Sequence, residues 1–135
     1  MASRLEKRLK KVESITMGKA CYEALIMSKK KYEKLEKLTA EITMSTLDRE
    51  WPCSDNCKLC EMFDYRNDSD CKGCPIYEVN GVPYCRETPY VEGFKHESDG
   101  DEQHDAAVRF VQIFGKMIEV ANVVPRAKTK VKFKD

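Results

Sequence analysis

The sequence predicts a mainly α-helical fold in which N-terminal and C-terminal helices pack together and carry an irregular cysteine-rich loop between them. Three observations lead there. The first 48 residues are rich in Lys, Glu, Leu and Ala and contain no proline. A wide apolar stripe runs from Ala106 to Ala121. Between these segments lie six of the seven cysteines, four of the five prolines and four of the six glycines, a composition that breaks long regular elements. At 135 residues the chain is one ordinary domain. We read residues 1–125 as that domain, made of a helical arm (1–49), a cysteine-rich module (50–100) and a hydrophobic helix (101–124). Residues 126–135 form a basic tail.

In the arm, Leu5, Leu9 and Val12 fall at helical spacing, as do Tyr22, Leu25, Ile26, Tyr32, Leu35, Leu38 and Ile42. Gly18 and the β-branched pair Ile15 and Thr16 mark where this helix breaks or bends. Lys19 and Lys29 fall in the apolar seam, so the arm packs on its own domain and is not a free coiled coil. Trp51-Pro52 opens the module. Within it, Asn80-Gly81 is a hairpin-turn signal, and Pro75 to Val79 with Val82 to Cys85 would be the two short strands. An acidic run, Glu97 to Asp105, suits the start of the third segment's helix. Its apolar positions are Ala106, Val108, Phe110, Val111, Ile113, Phe114, Met117, Ile118 and Ala121, and it ends before Pro125. The last residues, from Arg126 to Lys134, set a cation at every second position. Both an edge strand and a disordered tail suit that pattern, and the charge density favours the tail.

The net charge of +1 hides a layout. Residues 1–49 hold 12 basic and 7 acidic groups, 50–105 hold 5 and 14, and 106–135 hold 7 and 2. Two basic flanks, each +5, therefore enclose a centre of −9 that coincides with the cysteines. No apolar run approaches the roughly 20 residues that span a bilayer. The charged N-terminus lacks the apolar stretch of a secretory signal, so a cytoplasmic, reducing setting is expected. The chain is also shorter than the roughly 200 residues of barrel enzymes. No Ser-His-Asp set, phosphate-binding glycine loop or zinc-protease motif is present, and the expectation is a protein that is not an enzyme.

The thiols carry the chemistry. Cys57-Lys-Leu-Cys60 and Cys71-Lys-Gly-Cys74 are two knuckles separated by ten residues. Two thiolates three apart in a tight turn converge on one ion, and a second pair completes a tetrahedron at about 2.3 Å per bond. Zinc (Zn2+) is the expected metal, making the loop metal-stabilised. Cys60, Cys71, Cys74 and Cys85 form an alternative set, with ten residues on either side of the central knuckle. The candidate ligands are thus Cys57, Cys60, Cys71, Cys74 and Cys85, and which four of them bind stays open. Cys53-x₃-Cys57-x₂-Cys60 has the radical-SAM cluster spacing, but the chain is too short for that barrel. A bare iron–sulfur cluster remains the alternative cofactor, since Cys74-Pro75 is like the Cys-Pro that ends many ferredoxin loops. His96 and His104 read as solvated helix-entry residues, and Cys21 as a buried small residue.

The pattern Cys57-x-Leu59-Cys60, Cys71-x-Gly73-Cys74-Pro75-Ile76 and Gly81-x₃-Cys85-x₂-Thr88-Pro89-Tyr90 resembles small cysteine-rich proteins of bacteriophages and prophages, mostly without an assigned function. The resemblance covers residues 57–90. It implies an accessory protein in the host cytoplasm, with Cys57, Cys60, Cys71, Cys74 and Cys85 as its recurrent thiols and Cys53 outside the set. The charge layout adds a partner. An acidic surface made more negative by a zinc tetrathiolate suits a basic surface on a host protein. The alternative is nucleic-acid binding through Lys29, Lys30 and Lys31 with the tail's Lys128, Lys130, Lys132 and Lys134, assisted by Lys7, Arg8, Lys10 and Lys11. In that reading Tyr32 and Phe133 stack on bases.

Overall fold

The computed structural model describes residues 3–41, 74–81 and 100–134. Helix α1 (Arg4–Leu9) leads into strand β1 (Val12–Gly18) and the long helix α2 (Lys19–Glu41). Within the cysteine-rich segment lies the short helix α3 (Pro75–Asn80), and after it come helix α4 (Gly100–Glu119) and strands β2 (Ala121–Val124) and β3 (Lys130–Phe133). Helix dominates, and the expected pairing of N-terminal and C-terminal helices is present as α2 against α4. The sheet is the addition. Its order is β2-β1-β3, with β1 parallel to β2 and antiparallel to β3.

Three expectations for individual elements change. The arm is not continuous helix, because Val12 to Gly18 form the central strand. Three of its seven residues, Val12, Ile15 and Thr16, are β-branched, and pairing on both sides outweighs the helical spacing. Gly18 still marks the break, and α2 starts at the next residue. The C-terminal helix stops at Glu119 instead of running to Pro125. Ala121 to Val124 pair in register with Ile15 to Gly18, and the parallel partnership is bridged by both long helices, as a parallel pair requires. Finally, the basic tail contains a strand. Val131 lies opposite Ile15 and Phe133 opposite Val12, so its apolar residues reach the core and hold the lysines in place.

A fourth difference lies at α3. The residues expected as a first hairpin strand are helical, with Pro75 at the first position, where its fixed φ is already helical. Gly81, at φ 79°, caps the helix in the left-handed conformation, and its N–H donates to the Tyr77 carbonyl at 2.7 Å. Asn-Gly serves a hairpin turn or a helix terminus equally well. Ile76 and Val79, three apart and both buried, settle the helix by facing the core together. Residues 82–85, the other half of that hairpin, lie outside the described residues.

One apolar cluster unites all the elements. Tyr32 of α2 stacks on Phe110 of α4 with centroids 4.5 Å apart, and Phe110 stacks on Phe114 at 5.7 Å. Leu25, Leu35, Ile15, Met17 and Met117 fill the space beside them. The sheet therefore has a face covered by helices. Its other face carries Ser14, Thr16, Asn122, Lys130 and Lys132. Among the described residues, no helix is long and apolar enough to cross a membrane.

Candidate functional site

The cysteine module enters the described structure at Cys74. Its backbone is extended at the head of α3, its carbonyl accepts from Glu78 N–H at 2.9 Å, and the residue is buried. The short helix behind it is fastened to α1 by two arginines. Arg4 Nε donates to the Asn80 carbonyl at 2.8 Å, and Arg8 Nε donates to the Val79 carbonyl at 2.5 Å. These are carbonyls that the last turn of a helix leaves without an intrahelical partner. Cys57, Cys60, Cys71 and Cys85, as well as Cys53 and His96, lie outside the described residues. Among the described residues, no group of three or more His, Cys, Asp or Glu side chains comes together to hold a metal.

Two residues weighed beside the module have structural tasks. Cys21 is buried on α2, and its Sγ lies 3.8 Å from the Thr129 hydroxyl. Burial pushes its thiol pKa up, and the Thr129 hydrogen bond offsets this only partly. Such a thiol is a poor nucleophile. His104 is not simply a solvated residue at a helix entry. Its Nδ1 lies 3.1 Å from the Glu36 carbonyl, which can only accept, so the ring donates there and ties α4 to α2.

The candidate lysines separate into two groups. Lys29, Lys30 and Lys31 belong to the helical layer, where the Lys29 stem lies against α4 at Gly115 and its Nζ is 3.9 Å from Glu33. Lys130 and Lys132 are exposed on β3, with exposed Lys128 before them and exposed Lys134 after them. Lys134 N–H donates to the Lys11 carbonyl at 2.7 Å, which brings Lys10 and Lys11 to the end of the row. The aromatic contribution expected beside these lysines is corrected. Tyr32 is only 5% exposed and committed to the α2–α4 stack. Phe133 packs against the core with the Arg8 guanidinium 5.2 Å over its ring. Neither ring is available to a base.

A charged node joins α1 to α4. Glu6 accepts from Ser3 N–H at 2.9 Å, and Ser3 Oγ accepts from Glu6 N–H at 3.3 Å, forming a capping box on α1. The same carboxylate receives Arg109, whose Nε is 3.1 Å from both oxygens and whose second guanidinium nitrogen contacts Oε1. Arg109 also reaches Asp105 at 3.3 Å. Burial raises the Glu6 pKa, but the hydrogen bonds from Arg109 and Ser3, with the Arg109 charge, win and lower it from 4.5 to about 2. The Ser3-x-x-Glu6 spacing is the sequence signal for the box. Nothing in the sequence points to the Arg109 half, 103 residues away.

These elements define a two-layer α/β domain, with helices on one face of a three-stranded sheet and a cysteine-rich segment inserted between its two long helices. No family model matches the chain, and neither does any curated protein or solved structure.

Proposed function

We propose that this chain is a small non-enzymatic zinc-binding accessory protein, of the phage type its cysteine pattern resembles, that acts in the host cytoplasm. It binds a host protein through an acidic face organised by the metal. The observation that supports this reading is the seating of Cys74. One cysteine of the second knuckle is buried at the head of a helix whose far end is tied to α1 by Arg4 and Arg8. A knuckle cysteine held by the fold lowers the ordering that metal binding must supply, since the ion then joins the remaining ligands to a fixed point. The partner's chemistry follows from charge. Residues 50–105 carry 14 acidic and 5 basic groups, and four thiolates on Zn2+ add a further net −2. That sum favours a basic protein surface and repels phosphate.

Elemental analysis and a visible spectrum of protein purified anaerobically test the metal. One equivalent of zinc in a colourless sample supports it, whereas iron with absorption that bleaches on dithionite replaces it with an iron–sulfur protein. Capture from bacterial lysate tests the partner. A specific basic protein, lost on chelation, is the expected result, and recovery of nucleic acid alone overturns the protein-binding reading.

A further inference from the structure

Around Ser14, Thr16, Asn122, Lys130 and Lys132 the outward face of the sheet is polar and cationic, and its pattern is set by the strand period. Val131 and Phe133 turn to the core, so Lys130, Lys132 and Lys134 turn away from it. Alternate residues of a strand are spaced about 6.6 Å apart, comparable with the step between successive phosphates along a nucleic-acid strand. Across the sheet, Thr16 lies between Lys130 and Asn122, and Ser14 lies opposite Lys132. The row of lysines is thus bordered by hydroxyl and amide groups that hydrogen-bond to phosphate oxygens. Arg126, Lys128, Lys10 and Lys11 are all exposed and extend the row at its two ends. Glu13 answers it with one acid, its Oε2 3.2 Å from Lys132 Nζ.

From this placement we propose that the lysine-bearing sheet face binds the phosphate backbone of double-stranded DNA without reading its sequence. Charge complementarity selects the occupant. No aromatic side chain is exposed among the described residues of this face, so the stacking that sustains single-strand binding is missing. Duplex DNA offers the denser line of phosphates, one charge per roughly 1.7 Å of axis, to a rigid row of cations. Its residues, from Lys10 to Thr16 and from Asn122 to Lys134, are separate in sequence from the acidic cysteine segment, and the two take partners of opposite charge.

The test is fluorescence anisotropy of the full chain with two duplexes of unrelated sequence, across a salt series. Equal affinity for both is expected, with log K falling by about 0.9 per phosphate contact for each unit of log salt. Replacing Lys130, Lys132 and Lys134 together by Gln should make that slope shallower by roughly 3 and weaken binding at least tenfold at low salt. Glu13→Gln frees Lys132 and should tighten binding a few-fold. Gln at Lys29, Lys30 and Lys31 should leave binding unchanged. Circular dichroism checks the fold of the ladder variant. Should that variant misfold, the Glu13→Gln gain and the Lys29–Lys31 control still decide. No binding at low salt overturns the proposal. So does tighter binding of a single strand, loss confined to the Lys29–Lys31 variant, or competition by poly-glutamate equal to that by DNA of the same charge.

Discussion

The α2–α4 layer and the α1–α3 attachment lie side by side and are held by different forces. The first is apolar, a stack of Tyr32, Phe110 and Phe114 with aliphatic side chains around it. The second adds guanidinium groups to a small apolar contact. Arg4 and Arg8 hold the carbonyls that end α3, while Arg109 of α4 holds Glu6 and so fixes α1 itself. Both α1 and α3 have six residues, too few to be stable alone. A helix of that length gains little area from one or two buried side chains. Specific hydrogen bonds to its ends then matter more than they do on helices of 23 and 20 residues. The layer that forms the core should accordingly be insensitive to pH, and the seating of α1, on which α3 rests, should not.

Phe110→Ala gives the largest expected effect. The side chain is 1% exposed and touches both other rings, so truncation should cost about 3–5 kcal/mol in urea denaturation. The loss should be the same at neutral and mildly acid pH. A loss that varied strongly with pH would mean that the two regions are not separately held.

Glu6→Gln comes next and probes the other side of the comparison. With its folded pKa depressed to about 2, Glu6 contributes stability that is present above 4.5 and lost as pH falls through 2. Solvent screening around this only partly buried carboxylate holds the contribution to about 1–2 kcal/mol. The wild type should therefore exceed Glu6→Gln in stability at neutral pH, and the gap should close between pH 4.5 and 2. Urea midpoints of the two proteins at matched pH check this, and a gap constant down to pH 2 would contradict the assigned role of Arg109.

The helical layer was legible in the sequence because its signal is periodic and long. The stripe from Ala106 to Met117 names most of its own core, and the break at Gly18 was visible. The sheet was not legible, and the reason is length. Four residues of β2 or β3 give no period that separates them from a helix end or a charged tail, and their identity depends on partners more than 100 residues away. For α3 the Asn80-Gly81 pair serves a hairpin turn or a helix end alike, and a six-residue segment gives too short a period to outweigh it. For the candidate site, spacing alone grouped the five cysteines, and only Cys74 lies among the described residues. The cations are plain in the sequence, but their grouping in space is not. Sequence placed Lys29 to Lys31 with the tail, whereas the fold puts one set on a helix and the other on a sheet edge.

Two smaller effects sharpen the contrast. Gly81→Ala forces a side chain into a left-handed φ of 79° and should cost about 1 kcal/mol. Its Cβ would also stand 3.4 Å from the Arg4 guanidinium that caps α3. Lys132→Gln removes a salt bridge whose members are 73% and 52% exposed, and such pairs contribute little because water already solvates both charges. Its thermal midpoint should stay within the change that about 0.5 kcal/mol produces. The comparison between these two is informative because both are single changes at surface positions. One disturbs the backbone conformation that ends α3, and the other only a charge on the lysine-bearing sheet face. If Lys132→Gln destabilised as much as Gly81→Ala, the lysine would be part of the scaffold. An unchanged midpoint instead leaves its charge available for a partner.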